Sequence, residues 1–98
     1  MTTYAFTKEN VDWAPLQNGV YRLFDGYLLI YVGSASGLTG TIRNRLQRHF
    51  NGDEGRCTQS ATSFDFIVTE YPLSTEGDLL KAYRDTYGRL PRCNERLP

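Results

Sequence analysis

Arg43, Arg45 and Arg48 fall within six residues of one another, and His49, the only histidine of the chain, follows at once. Nine of the eleven cations in the 98-residue sequence are arginine, whose planar fork matches phosphate oxygens better than a lysine ammonium does. Such a cluster suits the grip of an anionic substrate, although a solvated helix face has the same composition. Eleven Lys and Arg balance eleven Asp and Glu, so a polyanion would have to be gripped locally and not by a general positive field. Counted by segment, the charge is −1 over residues 1–40, +2 over 41–60, −4 over 61–80 and +3 over 81–98, which places the cations in two stretches.

The elements that position these residues follow from pattern. Ile42, Leu46 and Phe50 recur at i, i+4 and i+8 and mark a helix with a core-facing stripe; Arg45 and His49, four apart, lie one above the other on its flank. Ahead of it, residues 19–33 are rich in aromatic and β-branched types and are interrupted by Asp25-Gly26, which predicts a hairpin. A three-residue loop, Phe24-Asp25-Gly26, with Gly26 as the left-handed residue of a bulge, would put Val20, Phe24, Leu28, Ile30 and Val32 on an apolar face. Tyr21, Tyr27 and Tyr31 would then line the other.

Residues 51–61 read as polar and turn-rich, and the alternation of Phe64, Phe66 and Val68 with Asp65, Ile67 and Thr69 predicts a third strand. Ser74 and Thr75 offer an N-cap, with Asp78 completing a capping box, for a helix that carries Leu79, Leu80, Tyr83 and Tyr87 and stops at Gly88. Glu76 would sit in its first turn. The order hairpin, helix, strand, helix predicts an α+β fold, a small three-stranded antiparallel sheet flanked by helices.

Length and composition allow one domain, residues 1–98, and exclude disorder: 40% of the residues are hydrophobic and thirteen are aromatic. The sequence contains neither a membrane span nor a signal-peptide pattern, which points to a cytoplasmic protein with no membrane partner. Cys57 and Cys93 show no metal-ligand spacing, and in that compartment each is expected as a reduced thiol.

Five short pieces in order give the chain a family resemblance. Gly19-Val20-Tyr21 and Tyr31-Val32-Gly33 stand at adjacent strands, followed by Arg45-Leu46-x-x-His49, Glu76 opening a helix, and Leu90-Pro91-x-x-Asn94. This set resembles the GIY-YIG nucleases and covers about residues 19–94. The resemblance implies hydrolysis of a phosphodiester bond with one divalent cation, Mg2+ or Mn2+, in DNA, with branched DNA or RNA as the alternative substrates. That reaction needs an activated water, relief of charge on the phosphoryl oxygens and help for the departing oxygen.

By the same resemblance Tyr21 is the general base, and Tyr31 hydrogen-bonds a phosphate oxygen or the attacking water. Arg45 stabilises the scissile phosphate, with Arg43 as its rival by type but not by spacing to His49. His49 orients phosphate or water, Glu76 is the metal ligand, and Asn94 braces the site. Arg43, Arg48 and Ser34 complete the expected substrate-binding set. A free phenol titrates near 10, so ionising Tyr21 near neutrality takes about 4 kcal/mol from nearby positive charge. Read from the residues alone, Tyr21 and Tyr31 suit an amphipathic strand, His49 a half-buried partner of a carbonyl, Glu76 a helix N-terminus, and Asn94 a surface turn.

Two features depart from the family pattern. Ser34 stands where many members carry a lysine, and the stretch from Gly33 to Arg45 is longer than in the shortest members, with Gly37 and Gly40 suggesting a loop. The rival reading is a nucleic-acid-binding module of the same fold without turnover, for which Glu76 would be superfluous. No separate DNA-reading domain fits in the chain, so weak sequence preference is expected. Targeting would then come from a partner protein or from substrate shape, and cutting both strands would take two turnovers or a homodimer.

Overall fold

The computed structural model of the chain describes residues 2–37 and 40–94. Leu38 and Thr39, in the expected loop, lie outside the described residues. A strand β1 (Tyr4–Ala5) and a short helix α1 (Lys8–Asp12) precede the hairpin strands β2 (Gly19–Asp25) and β3 (Leu28–Ala35). Helices α2 (Ile42–Phe50) and α3 (Arg56–Gln59), strand β4 (Ser63–Val68) and helix α4 (Pro72–Tyr87) complete the chain. The sheet has four antiparallel strands in the order β1-β4-β2-β3, one more than expected. The added strand is two residues long, too short to give a period-two signal in the sequence.

One face of the sheet carries Tyr21, Leu23 and Phe64 into a core closed by Val11, Ala14, Ile42 and Leu46 from the α1–α2 side. The other face carries Val20 and Val32, both buried, and the bidentate Arg22–Asp65 pair at 2.9 and 2.5 Å; α4 packs across β2 and β3. Helix α2 starts where expected because Thr41 caps it, its Oγ1 accepting from the Asn44 N–H at 3.1 Å. Helix α4 starts earlier than expected. Pro72 occupies its first turn, where a fixed φ and a missing N–H carry no penalty. Ser74 and Thr75 are therefore inside the helix, the expected capping box does not form, and Glu76 lies in the second turn. Gly88, at φ 79°, ends the helix as expected.

The hairpin differs from expectation in its turn and agrees in its consequence. The turn has two residues, Gly26 and Tyr27, between the paired Asp25 and Leu28. Carried down the ladder, that register would place Tyr21 and Tyr31 on opposite faces. A bulge intervenes: Phe24 pairs with Leu29 but Leu23 pairs with Tyr31, which leaves Ile30 as the extra residue. Tyr21 and Tyr31 thereby share a face. Gly26 has a positive φ, but the bulge is at Ile30. Ile30 joins the Tyr21 core in place of the Val20 and Val32 face, Leu28 is partly exposed, and Tyr27 stands in solvent at the turn.

The outer edge of β3 is covered by the segment after α4. The Cys93 N–H donates to the Ile30 carbonyl at 2.9 Å, and Asn94 brackets Val32, its Oδ1 accepting from the N–H and its Nδ2 donating to the C=O, each at 3.0 Å. Cys93 is joined to Cys57 of α3 by a disulfide, with Cα atoms 5.7 Å apart. The expectation of two reduced thiols is thus corrected, since tertiary packing brings together two residues 36 apart in sequence. Closing that loop restricts the unfolded chain, so a Cys57→Ser/Cys93→Ser protein is expected to lose about 2–4 kcal/mol of unfolding free energy in urea titrations. An unchanged midpoint would mean that the bond contributes no constraint.

Candidate active site

The site forms on the helix-covered face of β2 and β3, where the pleat and the bulge deliver two phenols and α2 delivers an arginine and a histidine. Tyr21 is fully buried; its Oη lies 2.8 Å from His49 Nε2, and His49 Nδ1 lies 2.8 Å from Thr58 Oγ1 on α3. The three rings form a triangle, with centroids 5.4 Å apart for Tyr21–His49, 5.0 Å for Tyr31–His49 and 6.2 Å for Tyr21–Tyr31. Gly33 makes room for them. It lies directly across the ladder from Tyr21, and a Cβ there would stand 2.5 Å from the Tyr21 hydroxyl and 2.7 Å from the Tyr31 ring. The glycine that closes the second tripeptide is required by this contact and not by backbone conformation.

Arg45, one helical turn before His49, lies beside both phenols. Its Nε is buried with no hydrogen-bond partner. A buried, charged donor left unpaired costs on the order of 1–3 kcal/mol or more, a cost that a bound water or an anionic ligand would relieve. Tyr31 is half-buried and borders a cleft of about 300 Å³ lined also by His49, Glu54, Arg56 and Thr58. Glu76 comes from the opposite layer: α4 brings its half-buried carboxylate to Ser34 on the edge strand, within reach of the Arg45 charge. Among the described residues no three His, Cys, Asp or Glu side chains cluster as metal ligands. Glu76 alone fits a hard cation that completes its shell with waters and phosphate oxygens.

Six of the nine expected residues therefore gather around the outer end of the hairpin: Tyr21, Tyr31, Arg45, His49, Glu76 and Ser34. Asn94 braces the strand that bears Tyr31 and Gly33 by bonding to the backbone of Val32 between them. Arg43 points elsewhere. It lies about 200° around the helix from Arg45, and its Nε donates to the Ala14 carbonyl at 2.8 Å. Arg48 is exposed and pairs with Glu54 at 2.7 Å. Thr58 and Glu54 also reach the site, both from the stretch that reads in the sequence only as turn-rich. No periodic or motif signal marks them, because each acts through a neighbour distant in sequence or in another element.

The electrostatics follow from burial. Desolvation pushes the Tyr21 phenol up, the neighbouring Tyr31 adds to this, and Arg45 opposes both. Tyr31 is raised by burial, against the Arg45 charge. Burial also raises Glu76, while the Ser34 hydroxyl and Arg45 pull it back. His49 is pushed down to about 4 by burial, against the charge of Glu54, so the imidazole is neutral at pH 7.

Since the folded chain binds that proton less well than the unfolded chain, where the value is 6.5, the stability associated with neutral His49 is complete above pH 6.5. It is lost as the pH falls toward 4, by up to roughly 3 kcal/mol. Urea unfolding between pH 7 and 4 should show this loss, and a His49→Gln protein should lack that component.

No protein-family model matches the sequence, and no curated protein matches it. Solved structures do. The chain is similar to the GIY-YIG N-terminal endonuclease domain of UvrC from Thermotoga maritima bound to its catalytic divalent cation, magnesium, at 25% identity and a TM-score of 0.68. That likeness covers 88% of this chain and 92% of the other. A point mutant of the same domain, also bound to its catalytic divalent cation, matches at 25% identity and a TM-score of 0.68, over 88% of this chain and 91% of that one. With most of both chains covered at that TM-score, this chain has the GIY-YIG nuclease fold.

Proposed function

We propose that the protein is an endonuclease that hydrolyses phosphodiester bonds in DNA, with Glu76 holding one divalent cation, Mg2+ or Mn2+. The observation that carries this reading is the buried, unpartnered Nε of Arg45 beside two phenols and within reach of a half-buried carboxylate. A binding module needs the arginine but has no use for the carboxylate at that place.

Arg45 holds the scissile phosphate and balances the negative charge that grows on its oxygens as the attacking water adds. Tyr21 accepts the proton of that water. Burial makes its phenolate costly, and the Arg45 charge offsets part of this cost. Tyr31, at the cleft, hydrogen-bonds a phosphate oxygen or the water, and His49 holds the Tyr21 oxygen in place at 2.8 Å. A divalent cation bound at Glu76 supplies Lewis-acid charge to the phosphoryl oxygens and eases ionisation beside it. Asn94 keeps β3 in register, and Ser34 positions the Glu76 carboxylate. One active site cuts one strand at a time, so a duplex break follows from two turnovers or from a homodimer.

Purified protein incubated with supercoiled plasmid, single-stranded and branched DNA is expected to cut with Mg2+ or Mn2+ and not in EDTA, and Glu76→Ala is expected to abolish cutting. Mg2+ should also raise the melting temperature of the parent protein but not of Glu76→Ala. Equal DNA binding by both proteins without cleavage by either would favour the binding module. Tyr21→Phe should lower kcat on the order of 10²- to 10⁴-fold with KM little changed, as expected for loss of a general base.

A further inference from the structure

His49 is neutral at pH 7, so one of its ring nitrogens carries a hydrogen and the other does not. Which one decides whether the ring gives a hydrogen bond to Tyr21 or receives one. Thr58 resolves the choice. The residue is 4% exposed, and the only hydrogen bond of its hydroxyl among the described residues is the 2.8 Å contact with His49 Nδ1. If Nδ1 carried the hydrogen, the Thr58 hydroxyl would accept, and its own hydrogen would be buried without a protein acceptor. If Nδ1 is bare, the hydroxyl donates to it, the ring hydrogen sits on Nε2, 2.8 Å from Tyr21 Oη, and the phenol's own hydrogen turns to the neighbouring Tyr31 oxygen, so that no hydrogen of the three side chains is left without an acceptor.

We propose that Thr58 is a positioning residue: its hydroxyl donates to His49 Nδ1, holds the imidazole in the Nε2–H tautomer, and thereby makes His49 a donor to the Tyr21 oxygen. The consequence falls on Tyr21. Its oxygen accepts from His49 and lies against the Arg45 guanidinium, so two donors favour the phenolate and none of the phenol's own hydrogen is tied up in the ring. The opposite tautomer would lock that hydrogen into the imidazole lone pair. Thr58 is held for this task by its neighbour Cys57, which the disulfide ties to Cys93, while the next residue, Asn94, grips Val32 of β3. The inference rests on the proposed role of Tyr21 for its effect on rate, but the tautomer itself does not depend on that role.

Because His49 is the only histidine, a long-range ¹H–¹⁵N correlation spectrum of the ¹⁵N-labelled chain at pH 7 reads its tautomer directly. The expected pattern is a protonated Nε2 and a bare Nδ1. In Thr58→Val the Nδ1 resonance should move toward that of a nitrogen accepting no hydrogen bond, and in Thr58→Ser it should return. A protonated Nδ1 in the parent chain, or an Nδ1 resonance unmoved by Thr58→Val, would overturn the assignment. In cleavage assays Thr58→Val should lower kcat about tenfold with KM unchanged, the effect of one hydrogen bond, and Thr58→Ser should restore it. An unchanged kcat in a protein with the expected tautomer would remove the positioning role. Absence of cleavage by the parent chain would instead remove the nuclease reading and leave the tautomer standing.

Discussion

The register of β2 against β3 decides which side chains of the hairpin share a face. A two-residue turn sets a pairing in which Tyr21 and Tyr31 would face opposite ways, and the single extra residue at Ile30 reverses the parity for everything beyond it. Both phenols then point to the side where α2 lies, and Gly33 falls directly across from Tyr21, where any side chain would collide with the ring. One bulge therefore determines which layer of the fold can hold the site.

Around that register the site is assembled from buried polar groups, each of which would be costly without a partner. Tyr21 has His49, His49 has Thr58, and Asn94 has both backbone groups of Val32. Arg45 Nε is the exception among the buried side-chain atoms of the described residues. Its neighbours Tyr21 and His49 are already bonded to one another and to Thr58. The 91–94 segment, tied to α3 by the disulfide, closes the β3 edge, which would otherwise present unpaired backbone groups to solvent. Glu76 arrives from the other side of the sheet, on α4.

The elements whose signals are local are legible along the chain: the 3.6-residue stripe of Ile42, Leu46 and Phe50, the alternation around Phe64 and Phe66, the Gly88 stop, and the ordered motif residues from Tyr21 to Asn94. Those patterns depend on neighbours in the chain, and the structure agrees with them. The shared face of Tyr21 and Tyr31 was also legible, though the sequence suggested a longer turn as its cause. A turn and a bulge change strand parity in the same way, and only the register of the formed ladder distinguishes them.

What the tertiary structure alone decided lies between elements. The two-residue β1 has no period of its own and exists because β4 offers it an edge. Pro72, and not the more conspicuous Ser74 and Thr75, opens α4, and this moves Glu76 one turn along so that it meets Ser34. Arg43 and Arg45 are alike in sequence, yet opposite sides of one helix send the first to Ala14 and the second to the phenols. Thr58, Glu54 and the pairing of Cys57 with Cys93 carry no sequence signal at all, because their partners are brought to them by packing across separate elements, and contact of that kind has no expression in spacing along the chain.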